Sequence, residues 1–237
     1  MFVFYTSMID QSNLVLEGDE ARHCIKTLRH KEGEIIKVFD ESGFLYESRI
    51  EEIKRNQVVC RILETQNPQT SHCQITMAVA PTKSPDRLEW MCSKAVEIGV
   101  QEIIIMQTDH TERSRYKMDR LHRIMISAAK QSLNLKLPII RELSFEETLQ
   151  AYDSVDVKLI AHCEEPEHHL IKLDTMSAKS ICFLIGPEGD FSKREIEMAK
   201  ANQWNEISLG TSRLRTETAA IVALTILNAK IFSQGIS

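Results

Sequence analysis

Two short apolar runs in the last quarter of the chain, 181–185 and 207–209, constrain the fold more than any other feature. Each run ends in a glycine loop, the first at 186–189 and the second at 208–210, and a charged helix start follows at 214–220. Parallel strands that end in such loops deliver them to one edge of an open sheet, where ligands bind. Glycine lets the backbone approach a ligand closely or adopt a positive φ. The pattern predicts an α/β fold with a small-molecule site on these loops.

From residue 74 onward, predicted strands alternate with predicted helices. The strands are 75–80, 102–106, 156–162, 181–185 and 207–209, and the helices are 86–98, 117–133, 192–202 and 215–232. Ser192 and Glu195 form a capping-box pattern at the start of the third helix. Strands that alternate with helices predict a parallel sheet covered on both faces.

The first seventy residues have a different pattern. Short apolar or alternating runs predict strands at 14–16, 34–39, 44–53 and 57–63, with a short helix at 19–28. Regular short strands separated by turn residues are typical of a small β-barrel. A polar segment around Pro68 has the composition of a linker. We therefore expect two domains, a β-barrel at 1–70 and an α/β domain at 74–237.

Composition excludes several classes of protein. The chain has 237 residues, of which 43% are hydrophobic and 27% are charged, which is ordinary for a soluble globular protein. No apolar run approaches the roughly 20 residues that span a bilayer, and the first ten residues lack the basic and apolar regions of a secretory signal. Six cysteines without a CxxC pair predict reduced, mostly buried thiols. We expect a cytoplasmic protein with no membrane contact.

The net charge of −5 gives no overall attraction to nucleic acid, but basic residues cluster locally. Segment 22–31 carries Arg22, Lys26, Arg29 and Lys31 without any acidic residue, and segment 110–123 is also rich in arginine and lysine. For either segment alone, a solvated helix face is an equally good interpretation. Together they modestly favour contacts with RNA.

Motifs along nearly the full chain resemble those of the RsmE family of SPOUT-class methyltransferases. They are GPEGDFS at 186–192, SLG at 208–210, RLRTETAA at 213–220, KAVEIGV at 94–100 preceded by Lys83, AAKQS at 128–132 followed by Pro138, and Arg22-His23 with Leu28-Arg29. Two positions depart from the pattern of the family. Asp190 stands where a second glycine is usual, and Arg213 stands where an isoleucine is usual.

The resemblance implies a SPOUT-type parallel sheet with a trefoil knot, preceded by a PUA-like barrel. It implies methylation of N3 of a uridine in 16S (small-subunit) ribosomal RNA, with S-adenosyl-L-methionine as cofactor and 16S RNA or the small ribosomal subunit as partner. It also implies a homodimer. Two alternatives stay open: a SPOUT methyltransferase for another rRNA or tRNA position, and a non-catalytic RNA-binding module of ribosome assembly. A P-loop is excluded because no GK[ST] ending follows the first loop.

The resemblance also implies site residues. Cofactor contacts are expected from Leu184, Ile185, Gly186, Gly189, Leu209, Gly210, Leu214, Thr218 and Ala219. Arg215 is the first catalytic candidate, as a cation for the uridine anion. Glu217 and Glu188 could accept the N3 proton or could equally cap helices and pair with arginine. RNA contacts are expected from Arg22, Arg29, Lys83, Arg113, Arg115, Lys117 and Gln131.

Two further patterns have simpler interpretations. Segment 162–169 is rich in histidine, glutamate and cysteine, but its spacing fits no zinc signature, so we expect no metal site. The last helix carries an apolar stripe of Ile221, Leu224, Leu227 and Ile231. The stripe would suit a dimer interface, but a core face is the more common role of such a pattern.

Overall fold

The structure is a computed structural model that describes residues 2–68, 71–112, 115–163, 168–175 and 177–232. The chain divides into two compact units, the first comprising Met1–Thr70 with Ile126–Leu137 and the second comprising Ser71–Met125 with Pro138–Ser237. Each unit has a hydrophobic core of its own. The sequence analysis assigned 126–137 to the second domain, whereas the structure groups this segment with the first unit. The domain boundary at 70–74 stays a prediction.

The first unit contains a six-stranded sheet. Its strands are β1 (Val3–Tyr5), β2 (Met8–Ile9), β3 (Asn13–Glu17), β4 (Ile35–Phe39), β5 (Leu45–Ile53) and β6 (Gln57–Gln66). Their order is β1-β4-β5-β6-β3-β2, and only the β1–β4 pair is parallel. Helix α1 (Gly18–Arg22) continues into a π-helical turn, His23–Thr27. The predicted β-rich fold is confirmed, and the short strands β1 and β2 at the sheet edges were not predicted.

The core of the first unit follows from the alternation of side chains along its strands. Leu14 and Leu16 on β3 are fully buried, while the residues between and after them are more exposed. Val58 and Cys60 on the neighbouring β6 repeat the alternation, and Ala21 of α1 packs into the same cluster. A strand that alternates in this way buries one face of its sheet and leaves the other in water.

The second unit contains a seven-stranded sheet in which every pair is parallel. Its strands are β7 (Gln74–Val79), β8 (Glu102–Gln107), β9 (Ile139–Ser144), β10 (Val157–Ala161), β11 (His168–His169), β12 (Ser180–Ile185) and β13 (Asn205–Ser208). Their order is β11-β13-β10-β12-β7-β8-β9. The central strands are buried along most of their length, as expected for a parallel sheet covered on both faces. The predicted α/β fold is confirmed.

Five α-helices lie in the described residues of the alternating part of the chain. They are α2 (Pro85–Ile98), α3 (Met118–Ser132), α4 (Phe145–Ala151), α5 (Lys193–Ala201) and α6 (Thr216–Phe232). The predicted capping box at the start of α5 is confirmed, since Ser192 and Glu195 accept each other's backbone N–H groups. Strand β9 and helix α4 were not predicted. Strand β9 is an edge strand with exposed and half-buried residues, so it lacks the continuous apolar run of the central strands.

Helix α6 packs against α2 and against the central strands of the sheet. Leu224 and Leu227 of its apolar stripe are fully buried, and Ile221 and Ile231 are partly buried, so the stripe forms a core face within the chain. None of the helices in the described part of the chain has the length and apolar content needed to span a membrane. The knot implied by the resemblance stays a prediction.

Candidate functional site

Three adjacent parallel strands end side by side in the second unit. Ala161 at the end of β10 is in register with Ile185, the last residue of β12, and with Ile207 of β13. The loops that follow these strands therefore start from the same edge of the sheet. This is the edge at which open α/β sheets bind ligands.

The three loops and the start of α6 enclose a cleft with two lobes, which we call the loop cleft. The Gly210 lobe has a volume of about 350 Å³ and is lined by 161–163, His169, 207–214 and Ala219. The Gly186 lobe has a volume of about 290 Å³ and is lined by Cys163, 185–188, Asp190, 213–216 and Ala219. The two lobes share four lining residues, Cys163, Arg213, Leu214 and Ala219. The lobes are therefore adjacent parts of one cleft. Together they have the size of a small-molecule site, roughly 300–1,000 Å³.

The two loop glycines have different physical reasons to be glycine. A β-carbon on Gly186 would lie 3.1 Å from the ring of Phe191, so this loop packs tightly on the side chain beneath it. Gly210 has φ of +141°, which side-chain-bearing residues rarely adopt, and nothing lies within 4 Å of its β-carbon position. Gly210 therefore leaves open backbone at the cleft, which a ligand can approach closely.

Asp190 connects the first glycine loop to the loop after β10. Its carboxylate accepts the backbone N–H of Cys163 at 2.8 Å through one oxygen and that of Phe191 at 2.8 Å through the other. Its φ is +64°, a conformation in which glycine is usual and aspartate is tolerated. Asp190 thus occupies a left-handed backbone position and links two walls of the cleft. We call this link the Asp190 bridge.

The start of α6 forms another wall of the loop cleft. Arg215 is exposed and lines the Gly186 lobe, and its carbonyl accepts the first helical hydrogen bond from Ala219 at 2.8 Å. The buried hydroxyl of Thr216 donates to the carbonyl of Gly186 at 3.0 Å. The last helix is thereby attached directly to the first glycine loop. Within the described residues, the Arg215 guanidinium makes no hydrogen bond or ion pair.

The two glutamates named as catalytic candidates lie in different surroundings. Glu188 is exposed, lines the Gly186 lobe and accepts a long hydrogen bond of 3.4 Å from the backbone of Lys83. Glu217 is buried and lines neither lobe, and its Oε1 lies 3.7 Å from Nε of Arg87. Its Oε2 has no hydrogen-bond partner among the described residues. Of these two glutamates, Glu188 is thus the one that lines the cleft.

Several residues predicted for the cofactor do line the cleft, and others lie elsewhere. Ile185, Gly186, Leu209, Gly210, Leu214 and Ala219 line one or both lobes. The side chain of Leu184 is fully buried in the core of the second unit, so its expected position beside an adenine ring is not supported. Gly189 and the exposed Thr218 line neither lobe. Leu184 faces the core because it alternates with Ile185 along a strand covered on both faces.

The residues predicted for RNA are distributed over both units. Arg22 and Arg29 are exposed in the first unit, and Gln131 is exposed in the part of α3 that groups with it. Lys83, Arg115 and Lys117 are exposed in the second unit. Arg113 lies outside the described residues.

Arg22, predicted to contact RNA, lines a basic groove in the first unit. Its volume is about 510 Å³. The lining residues are Glu17, Gly18, Arg22, Ile25, Lys26, Lys54, Arg55, Asn56 and Gln57. Arg22 pairs with Asp19 at 2.9 Å and Lys54 with Glu52 at 3.0 Å. Four cationic side chains around one concave surface match the charge of an RNA backbone.

The histidine-rich segment after β10 has a structural role where it is described. The buried side chain of His162 contacts Oε2 of Glu206 through Nε2 at 2.8 Å, and Lys200 lies 3.2 Å from the same carboxylate. Within the described residues, no group of three or more histidine, cysteine or acidic side chains could bind a metal ion. Residues 164–167 of the segment lie outside the described part of the chain.

Sequence analysis missed one of the three loops and two of the side chains that build the cleft. It considered 162–169 for metal binding or as a polar loop at a strand end, and not as a wall of the cleft, although this segment follows a buried strand, which was a usable signal. It noted Asp190 and Arg213 as departures from a motif without a role. The structure places Arg213 in the wall shared by both lobes and Asp190 in the bridge.

Comparisons with known proteins agree with this architecture. Residues 69–228 match the family model described as RNA methyltransferase domain, and residues 16–63 match the model described as RNA methyltransferase PUA domain. The chain is 28% identical over 221 residues to ribosomal RNA small subunit methyltransferase E of Rickettsia conorii, covering 92% of this chain and 90% of that protein.

Two solved structures are similar over nearly the whole chain. A probable rRNA-methyltransferase from Porphyromonas gingivalis is 36% identical with a TM-score of 0.91, covering 98% of this chain and 99% of that one. A ribosomal RNA small subunit methyltransferase E from Neisseria gonorrhoeae, bound to S-adenosyl methionine, is 26% identical with a TM-score of 0.82, covering 97% of each chain. With two domain models matched in order and relatives that match over the full length, the chain belongs to the RsmE family of RNA methyltransferases.

Proposed function

We propose that the protein transfers the methyl group of S-adenosylmethionine to N3 of a uridine in small-subunit ribosomal RNA. The observation that carries the proposal is the loop cleft, where the ends of β10, β12 and β13 meet the start of α6 around an open glycine backbone. Its relative from Neisseria gonorrhoeae is described as bound to S-adenosyl methionine. The choice of N3 as the methylated atom is inferred from the sequence motifs that resemble those of the RsmE family.

The residues of the cleft suit a cofactor with an adenosine and an amino acid part. Backbone N–H and carbonyl groups of Ile185, Gly186, Leu209 and Gly210 would bind its polar atoms, and Leu214 would contact the adenine as an apolar wall. When bound, the cofactor supplies an electrophilic methyl group on a sulfonium. The chain would contribute by positioning, because orientation of two reactants can lower a barrier by roughly 7–11 kcal/mol.

The acceptor places a second demand on the site. N3 of uridine carries a proton in neutral water and must lose it before or during attack on the methyl carbon. Arg215 is exposed at the Gly186 lobe and would stabilise the negative charge that develops on the pyrimidine. Glu188 and Glu217 were the carboxylate candidates for accepting this proton, and of the two only Glu188 lines the lobe, since Glu217 is buried.

The reaction is tested by mapping modified nucleosides. Small-subunit RNA from cells that lack the protein should be missing one N3-methyluridine, and purified protein with S-adenosylmethionine should restore it. A methyl group restored at a ribose or at a tRNA position would support the SPOUT alternative. No transfer to any RNA would support a non-catalytic assembly module.

Two variants separate cofactor binding from catalysis. Gly210→Trp fills the open side of the second loop and should abolish binding of S-adenosylmethionine in calorimetry, and undiminished binding would contradict the loop assignment. Arg215→Ala removes a cation from the cleft without touching the glycine loops. It should keep cofactor binding and lose roughly 100-fold in the rate of methyl transfer, the size typical of a lost oxyanion contact.

The RNA is proposed to contact basic side chains on both units. In the first unit these are the cations of the basic groove, and in the second unit Arg115 and Lys117. Each phosphate contact adds about 0.7–0.9 to the slope of log affinity against log salt concentration. Replacing Lys26, Lys54 and Arg55 by alanine should therefore reduce that slope by about 2–3. An unchanged slope would mean that the groove does not contact RNA.

Assembly and location complete the proposal. We infer a cytoplasmic homodimer with a knotted second unit, on the strength of the resemblance to the family. Light scattering on the purified protein tests the dimer, and a monomeric mass at micromolar concentration would contradict it.

A further inference from the structure

We propose that a polar cavity beside the first glycine loop binds the acceptor uracil, and that Nε2 of His110 takes up its N3 proton. We call it the acceptor cavity. Its volume is about 500 Å³, and it is lined by Lys83, Asp109, His110, Thr111, Glu112, Glu188 and Gly189. This inference rests on the proposed function, because the acceptor is taken to be a uridine.

The acceptor cavity and the loop cleft share one wall. Glu188 lines both the acceptor cavity and the Gly186 lobe, and the turn 187–190 contributes to both, since Pro187 and Asp190 line the lobe and Gly189 lines the acceptor cavity. That turn is closed by a hydrogen bond of 3.0 Å from the N–H of Asp190 to the carbonyl of Pro187. A planar base in one cavity and a methyl donor in the other would meet at this turn.

The protonation pattern of His110 is determined by its partner. Nδ1 of His110 lies 3.0 Å from the backbone carbonyl oxygen of Asp190, and a carbonyl can only accept a hydrogen bond. Nδ1 must therefore carry a proton, and in the neutral ring Nε2 is the acceptor. Among the described residues, nothing bonds to Nε2. A neutral imidazole with a free, oriented acceptor nitrogen is suited to remove a proton from an imide.

The other ionisable groups of the cavity are already engaged. Both oxygens of Asp109 contact Arg194, at 2.8 and 3.1 Å, and Arg194 together with Ser192 lowers the pKa of Asp109 to about 2. Glu112 lies 2.7 Å from Nζ of Lys83, and this pairing raises the pKa of Lys83, so the lysine stays cationic. Asp109 is thus too weak a base, and Lys83 provides positive charge for the uracil oxygens.

Glu188 is the remaining alternative, and the chemistry favours the histidine. A carboxylate is ordinarily a weaker base than imidazole, and a general base works best when its pKa lies near the operating pH.

The step balances in atoms and electrons. The proton of N3 moves to Nε2 of His110, and the N3 lone pair forms a bond to the methyl carbon. The bond between that carbon and the sulfonium sulfur breaks, and its electron pair stays on sulfur as a neutral thioether. The imidazolium then releases its proton to water, so one proton is released for each methyl group transferred.

The test compares two variants of the full-length protein, His110→Ala and His110→Asn. The asparagine amide can donate to the Asp190 carbonyl as Nδ1 does, but it cannot take up a proton. If His110 is the base, both variants lose roughly 100-fold in kcat at pH 7 while their calorimetric affinity for S-adenosylmethionine is unchanged. Their rates should rise about tenfold for each unit of pH, because hydroxide must now remove the proton.

The outcomes are distinguishable. Near-normal activity of His110→Asn with an inactive His110→Ala would mean that the histidine only positions the loop, and full activity of both variants would overturn the proposal. RNA containing 5-fluorouridine has a more acidic N3–H and should restore most of the lost rate in both variants; no recovery would also count against a proton-transfer role. A wild-type protein that forms no N3-methyluridine would refute the proposed function instead.

Discussion

The Asp190 bridge leads to a quantitative prediction for cofactor binding. Asp190→Gly removes the carboxylate that accepts the N–H groups of Cys163 and Phe191, each at 2.8 Å, and retains the left-handed backbone. Hydrogen bonds to a charged group are worth about 1.5–3 kcal/mol each. Asp190 is partly exposed, so the lower value applies and the two bonds contribute about 3 kcal/mol. Glycine adopts the left-handed conformation without the strain that aspartate has there, which offsets about 1 kcal/mol of this loss. The free energy of unfolding should therefore decrease by about 2 kcal/mol.

Part of this loss should be seen in the cleft itself. The bond to Cys163 fixes a loop that lines both lobes, so the variant must order this loop when it binds a ligand. Ordering a loop of this kind costs about 1 kcal/mol or slightly more. The dissociation constant of S-adenosylmethionine should therefore increase roughly five- to tenfold.

The assay is calorimetric titration for affinity and urea unfolding for stability. Gln203→Gly is the matched control, because Gln203 also has a positive φ, of 63°, and an exposed side chain in the same unit. It should be neutral or slightly stabilising and should not change the affinity. Asp190→Asn retains one acceptor oxygen and tolerates the backbone, so its affinity should lie between those of the wild type and the glycine variant.

The reasoning would be refuted if Asp190→Gly bound the cofactor as tightly as the wild-type protein. Normal affinity with a loss of about 2 kcal/mol in stability would mean that the bridge stabilises the fold but does not order the cleft. Normal affinity and normal stability would mean that the two hydrogen bonds contribute nothing measurable.

Two more predictions concern the cleft and its surroundings. Cys163 is exposed, whereas burial raises the pKa of the other five thiols, to about 11 or 12 for four of them. Iodoacetamide should therefore label Cys163 first. S-adenosylmethionine at ten times its dissociation constant should slow this labelling about elevenfold. An unchanged labelling rate would place the cofactor elsewhere. Because Arg194 and Ser192 lower the pKa of Asp109 to about 2, its contribution to stability is present above its unfolded pKa near 4 and is lost as pH falls to about 2. Asp109→Asn should lose less stability between pH 5 and pH 3 in urea unfolding than the wild type, and an equal loss would exclude this carboxylate as the cause.

Sequence reasoning worked where local pattern and tertiary role coincide. Apolar runs such as 181–185 predict a central strand because a strand covered on both faces needs apolar residues throughout. The Ser192–Glu195 capping box forms from residues three positions apart, so the sequence contains the whole motif. The two glycine loops could be placed at one sheet edge for the same reason.

The missed features depend on contacts between distant segments. The Asp190 bridge joins residues 27 positions apart, and the contact of His110 with Asp190 joins residues 80 positions apart. No local pattern indicates which backbone group a lone carboxylate will bond. The burial of the Leu184 side chain in the core was not predicted, because glycine loops indicate where a cleft begins but not which face of the preceding strand points toward it. Strand β9 was missed because an edge strand needs few apolar residues.

The order of the loops along the chain has a consequence for synthesis on the ribosome. The first unit takes its last segment from Ile126–Leu137, whereas the loop cleft takes its walls from residues between Ala161 and Ala219. The cleft therefore cannot close until about 80 further residues have been added, which takes roughly 4–16 s at ordinary rates of elongation. During that interval a nascent chain would carry its complete basic groove without a binding site for the methyl donor. The groove proposed to contact RNA would thus form before the cleft proposed to bind the methyl donor.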